Sequence, residues 1–116
     1  MSRVGRYVKF TARAGEGEAL AQLLLRVAES QRSAPGCDLY VINQEADDPN
    51  VVWVTELWAS QEAVDAALRE LRTEAGRAQL AEVLALLQGS PERTDLVPLG
   101  GVMPASRTGS PHTIQT

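Results

Sequence analysis

Histidine and cysteine are almost missing from this chain: Cys37 and His112 are the only ones in 116 residues. A lone cysteine excludes an intrachain disulfide framework and accords with a reducing compartment. With so few soft ligands, a zinc or iron site would need carboxylates alone. The acidic residues Glu45, Asp47 and Asp48 have no calcium-loop spacing and read as a solvated turn. No metal and no cofactor are therefore expected. A Cys–His nucleophile is excluded from the domain as well, so Cys37 is expected to be a small buried apolar residue at a strand start. Gly15-Glu16-Gly17 is too short for a phosphate-cradling loop. Basic residues are outnumbered, 11 to 15, and the net charge is −4. The electrostatic footprint for nucleic acid or an anionic membrane is thus lacking. No stretch approaches a membrane span, and Met1 to Arg6 has no apolar signal core, so a cytoplasmic location is expected.

Apolar residues make up 44% of the chain, enough for one folded domain. Tyr7 to Arg13 alternates with strand period, Val8, Phe10 and Ala12 on one side. Glu18 to Arg32 switches to helical period through Leu20, Leu23, Leu24, Val27 and Ala28, and Pro35-Gly36 stops it. Cys37 to Gln44 reads as a second strand, 45–50 as a polar turn, and Val51 to Trp58 as the third and strongest strand. The short connection makes a hairpin. Ser60 is suited to cap a second helical region, which Thr73 to Gly76 interrupts and which resumes at Arg77. Arg93 to Leu99 is the last strand. Residues 101–116, rich in Gly, Pro, Ser and Thr, are expected to be a flexible tail on a domain of residues 1–100. The order β-α-β-β-α-β is the split βαβ arrangement of α+β ferredoxin-like domains, an antiparallel sheet with its helices on one face.

The third strand is apolar on both sides: Val52, Val54, Glu56 and Trp58 alternate with Val51, Trp53, Thr55 and Leu57. Two helices can cover only one face. The other, with Trp53 and Leu57, would be an exposed apolar patch, which is most simply covered by a second copy about a two-fold axis. A homodimer is expected.

The segments Pro35-Gly36-Cys37 and Glu56-Leu57-Trp58-Ala59-Ser60, the latter followed by Glu62-Ala63, resemble the antibiotic biosynthesis monooxygenase family over roughly residues 6–100. The resemblance implies a dimeric α/β barrel with a pocket between sheet and helices. It also implies an activity, since some members oxygenate quinols or aromatic polyketides without metal or flavin. Two positions depart from the family's patterns. Ala67 stands where many members carry a helix histidine, which haem-degrading members need for iron. Val54 stands where anthrone-oxidising members tend to have asparagine.

Among candidate site residues, Trp58 can wall a flat aromatic ligand and offer one N–H. Glu56, a carboxylate in an apolar strand, must be paired, hydrogen-bonded or shifted in pKa. It is expected either as a pocket base or as the partner of Arg72 or Arg77. Tyr40, Asn43 and Arg77 are candidate substrate contacts, with Tyr40 and Asn43 on opposite faces of their strand. The expectation is a cofactor-independent monooxygenase using dioxygen on a quinol-like or polyketide-type aromatic, with Trp58 and Glu56 as catalytic residues. The alternatives are a non-catalytic dimeric module that binds a small apolar ligand and, less favoured, a cyclase-like or isomerase-like role. Fold does not choose among these.

Overall fold

In the computed structural model, residues 2–102 are described. His112 and all of the expected tail beyond residue 102 lie outside them. The elements are β1 (Val4–Thr11), α1 (Gly17–Ser30), a 3-10 turn (Gln31–Ser33), β2 (Cys37–Glu45), β3 (Asp48–Trp58), α2 (Gln61–Glu70), α3 (Glu74–Ala85) and β4 (Glu92–Leu96). The strands form one antiparallel sheet in the order β2-β3-β1-β4. This is the ferredoxin-like α+β fold, and the sheet does not close on itself within one chain.

The expected elements are present, with shifted boundaries. The polar turn shrinks to Ala46 and Asp47, because Glu45 already pairs with Asp48 across the hairpin. Pro49 is tolerated in β3 because the β2–β3 register slips there, leaving no ladder bond for it to break. Asn50 leaves the turn altogether. Its Oδ1 accepts the Gly17 N–H at 3.1 Å and so serves the start of α1, where Glu16 gives no side-chain cap. Only glycine fits at residue 17, since a Cβ there would lie 2.2 Å from the Pro49 carbonyl oxygen. The second helical region is two helices, as expected, but α3 begins at Glu74, so Gly76 lies inside it. Thr73 is the cap, its Oγ1 accepting the Gly76 N–H at 3.1 Å. Ser60 caps α2 by accepting the Ala63 N–H at 3.1 Å. β4 ends at Leu96, short of Pro98, which cannot donate to the ladder.

All three helices pack on one face of the sheet. Val8, Val52 and Val54 of the strands, with Ala12 just past β1, meet Leu20, Leu23, Leu24, Val83 and Leu87 in the main core. A second cluster forms around Cys37, Trp58 and Val64, with Ala63, Ala67 and Leu68 of α2 against it. The expected burial of Cys37 is found. On the opposite face, Tyr7, Val41 and Leu96 are exposed while Trp53 is half-buried. Leu57, expected in that exposed patch, is instead buried within the chain. It lies beside Gly5, whose missing side chain lets Leu96 and Pro98 close over that corner.

Candidate active site

The antiparallel register aligns Tyr40, Glu56, Arg6 and Asp95 in one row across all four strands, on the helix-bearing face. The row runs through an otherwise apolar layer, between the two core clusters. Glu56 is only 8% exposed. Its Oε1 accepts the Trp58 indole N–H at 2.8 Å and faces Arg6 Nη1 at 4.0 Å. On the other side of Arg6, Nε lies 3.8 Å from Asp95 Oδ1. That carboxylate is gripped in turn by Arg93 at 3.2 Å.

Burial raises the Glu56 carboxyl above its ordinary value, and the Asp95 charge adds to this; the Trp58 N–H, Arg6 and Arg93 pull it back. The result is a carboxylate that holds a proton more readily than a solvated one. Burial, and then the Glu56 charge, also push the Tyr40 hydroxyl well above the usual tyrosine value, so Tyr40 stays a neutral donor and acceptor.

Trp58 joins this row to the helices. Its N–H is spent on Glu56, while it belongs to the buried cluster against which Ala63 and Ala67 of α2 pack. Those two alanines also line a cleft of about 770 Å³ between the end of α1, α2 and α3. A volume of this order suits a flat ligand of several rings, since small-molecule pockets span about 300–1,000 Å³.

The sequence-derived candidates are thus only partly brought together. Trp58, Glu56 and Tyr40 lie together on the helix-bearing face of the sheet, but none of the three lines the cleft. Asn43 lies on the opposite face, in a hollow with Tyr7, Trp53 and Thr55, and its amide donates to Thr55 Oγ1 at 3.1 Å. Arg77 is exposed on α3, outside both the row and the cleft walls. The cation facing Glu56 is neither Arg72 nor Arg77 but Arg6, because sheet register places it directly opposite. Arg6 could have been found in the sequence. Extending the β1 alternation back three residues, from Tyr7 to Val4, gives Val4, Arg6, Val8, Phe10 and Ala12 on one face. An arginine there needs a buried partner as much as Glu56 does.

Among the described residues no group of three His, Cys, Asp or Glu side chains could hold a metal ion. No helix among them is long and apolar enough to cross a membrane.

The family model for antibiotic biosynthesis monooxygenase matches residues 3–79. No curated protein matches the chain significantly. Among solved structures, a Chloroflexus aurantiacus protein bearing the antibiotic biosynthesis monooxygenase name is 31% identical, with a TM-score of 0.73 over 90% of this chain and 100% of its own. A Mycobacterium tuberculosis protein is 26% identical, with a TM-score of 0.72 over 86% of this chain and 98% of its own. SnoaB, a cofactor-independent oxygenase from Streptomyces nogalater, shares the fold at 18% identity, with a TM-score of 0.74 over 88% of this chain and 98% of its own. With a family model matching residues 3–79 and a 31% identical structure of that name covering 90% of the chain, the chain belongs to the antibiotic biosynthesis monooxygenase family.

Proposed function

We propose that this protein is a cofactor-independent monooxygenase acting on a quinol-like or polyketide-type aromatic, with Glu56 and Trp58 as its catalytic residues. The observation that carries this reading is the buried Glu56 carboxylate, bonded by the Trp58 N–H at 2.8 Å and set in a polar row that crosses an apolar layer. Membership of a family that includes cofactor-independent oxygenases supports it.

The chemistry needs a base and a dry site more than a cofactor. For an anthrone, Glu56 takes a proton from the ring CH2, leaving a delocalised carbanion. The carbanion gives one electron to dioxygen, and the two radicals join as a C–O bond. The peroxide takes up a proton and loses water, so CH2 and O2 become C=O and H2O. The residual base strength of Glu56 comes from burial. Trp58 walls the ring and keeps the carboxylate in place. Of the expected substrate contacts, Tyr40 is the one on this row and is assigned to a substrate oxygen.

The same reading makes the protein a cytoplasmic homodimer, its domain spanning residues 1–100 and its partner seated on the helix-free face. Tyr7 and Trp53 pack edge to face there at 6.0 Å, and Lys9 sits 5.5 Å from the Trp53 ring, with Val41 and Leu96 exposed nearby. Apolar and aromatic side chains of this kind make the core of stable interfaces.

The deciding experiment is oxygen uptake by metal-stripped protein over a panel of anthrones and reduced quinols, with autoxidation subtracted. Uptake that needs the protein and falls at least about tenfold in Glu56→Gln or Trp58→Ala is the expected result. Ligand-dependent stabilisation with no uptake would select the binding module instead.

A further inference from the structure

Arg6 is a largely buried cation with an unmet donor. Its side chain is 12% exposed, and its two neighbouring carboxylates stand at 4.0 and 3.8 Å. Both distances exceed the roughly 2.7–3.2 Å of a nitrogen–oxygen hydrogen bond. Each carboxylate has a better partner. The Glu56 oxygen that faces Arg6 is the one bonded by Trp58 at 2.8 Å. The Asp95 oxygen that faces Arg6 is held by Arg93 at 3.2 Å. Arg6 Nε is buried with no hydrogen-bond acceptor. A guanidinium has five donors, and a buried donor left unmet is costly, so such groups are seldom retained without a use.

The row is least covered at its β4 end. Helix α1 packs on β2 and β3, and α2 on β3, while every residue of β4 is exposed. Along the row, exposure rises from Glu56 at 8% to the Asp95 side chain at 63%. The β4 end is thus the more exposed end of the row, and the end from which a ligand oxygen would approach the guanidinium.

We propose that Arg6 holds the ionised oxygen of the aromatic substrate, making it the substrate-binding residue that selects phenolate or enolate over the neutral form. The inference rests on the oxygenase reading for the substrate class, but not for the anion site. Local charge sets the kind of anion. Glu56 and Asp95 beside Arg6 and Arg93 leave little net positive charge, so a single delocalised charge suits the place better than a dianion such as phosphate. Held there, the oxyanion lies beside the base that takes the carbon-bound proton, and the electron-rich form that reduces dioxygen is stabilised.

The test uses 2-hydroxyanthraquinone, a dye already at the quinone level whose phenol and phenolate differ in colour. Its hydroxyl is titrated by visible absorbance, free and bound to the intact protein. The expected result is a pKa at least about one unit lower in the complex, which is about tenfold tighter binding of the anion. Arg6→Gln, checked for fold by circular dichroism, abolishes the shift. Should Arg6→Gln fail to fold, Arg6→Lys decides. It keeps the charge but lacks the Nε donor, so the shift shrinks. A dye that does not bind wild type, a bound pKa unchanged or raised, or a shift that survives in Arg6→Gln (or in full in Arg6→Lys) would overturn the assignment. Oxygen uptake on the same proteins separates the two readings. A dye shift without uptake retires the oxygenase and keeps the anion site. Uptake without a dye shift keeps the oxygenase and retires Arg6.

Discussion

Replacing Trp58 by phenylalanine isolates the bond on which the site depends. The substitution keeps an aromatic ring in a position that is 2% exposed but removes the N–H that Glu56 accepts at 2.8 Å. A hydrogen bond to a charged group contributes about 1.5–3 kcal/mol, a neutral one about 0.5–1.5 kcal/mol. Loss of the indole's extra volume adds a cavity cost that does not depend on pH. The difference between two pH values therefore reports the bond alone. Burial raises the Glu56 carboxyl above its ordinary 4.5, so the folded state favours the protonated form. The stability this gives is fully present below the ordinary glutamate range and is lost as pH rises through the folded value. The Trp58 N–H counters that loss, because it favours the ionised form. Trp58→Phe should then cost about 1 kcal/mol more at about pH 8 than at about pH 4, measured by urea unfolding at fixed protein concentration. In a Glu56→Gln background the extra cost should vanish, and the pH slope from Glu56 with it. An equal cost at both pH values would mean that the indole is not bonded to a titrating carboxylate, and the site geometry would be wrong.

Three further outcomes follow from the packing. Gly36 has φ +80°, and a Cβ there would lie 2.6 Å from Ala63 Cβ, so Gly36→Ala combines backbone strain with a clash against α2 and should lower stability by about 1–3 kcal/mol in a urea melt. Ser60→Ala removes the cap on the Ala63 N–H and should cost about 1 kcal/mol in the same assay, with the sheet intact by circular dichroism. If the proposed dimer forms through the helix-free face, Trp53→Ala should leave the fold unchanged and shift sedimentation from dimer toward monomer; a monomeric wild type, or a variant as dimeric as wild type, would refute that interface.

Much of the site was legible before any coordinates. Glu56 and Trp58 share parity on one strand, which alone puts them on one face. Ser60 carries its own capping chemistry. Asn43 and Arg77 were named from polarity and position along the chain, and neither property says which residues meet across a sheet. Asn43 turned out to bond its own strand neighbours on the far face, and Arg77 stands on the outside of α3. Asn50 passed for a turn residue because its role, receiving the Gly17 N–H, joins positions distant in sequence.

The sequence by itself determined what is periodic and local: the alternating strands, the helical stripes through Leu20 and Val64, the stops at Gly36 and Gly89, and the family. These depend on each residue and its near neighbours, which the chain states outright. The tertiary structure alone decided what depends on register. Pairing Arg6 with Glu56 on one side and Asp95 on the other brings together residues 50 and 89 positions apart along the chain (56 − 6 and 95 − 6), and a slip of one residue would turn each of them to the opposite face. Only once the sheet has formed do one arginine, two carboxylates and an indole come together.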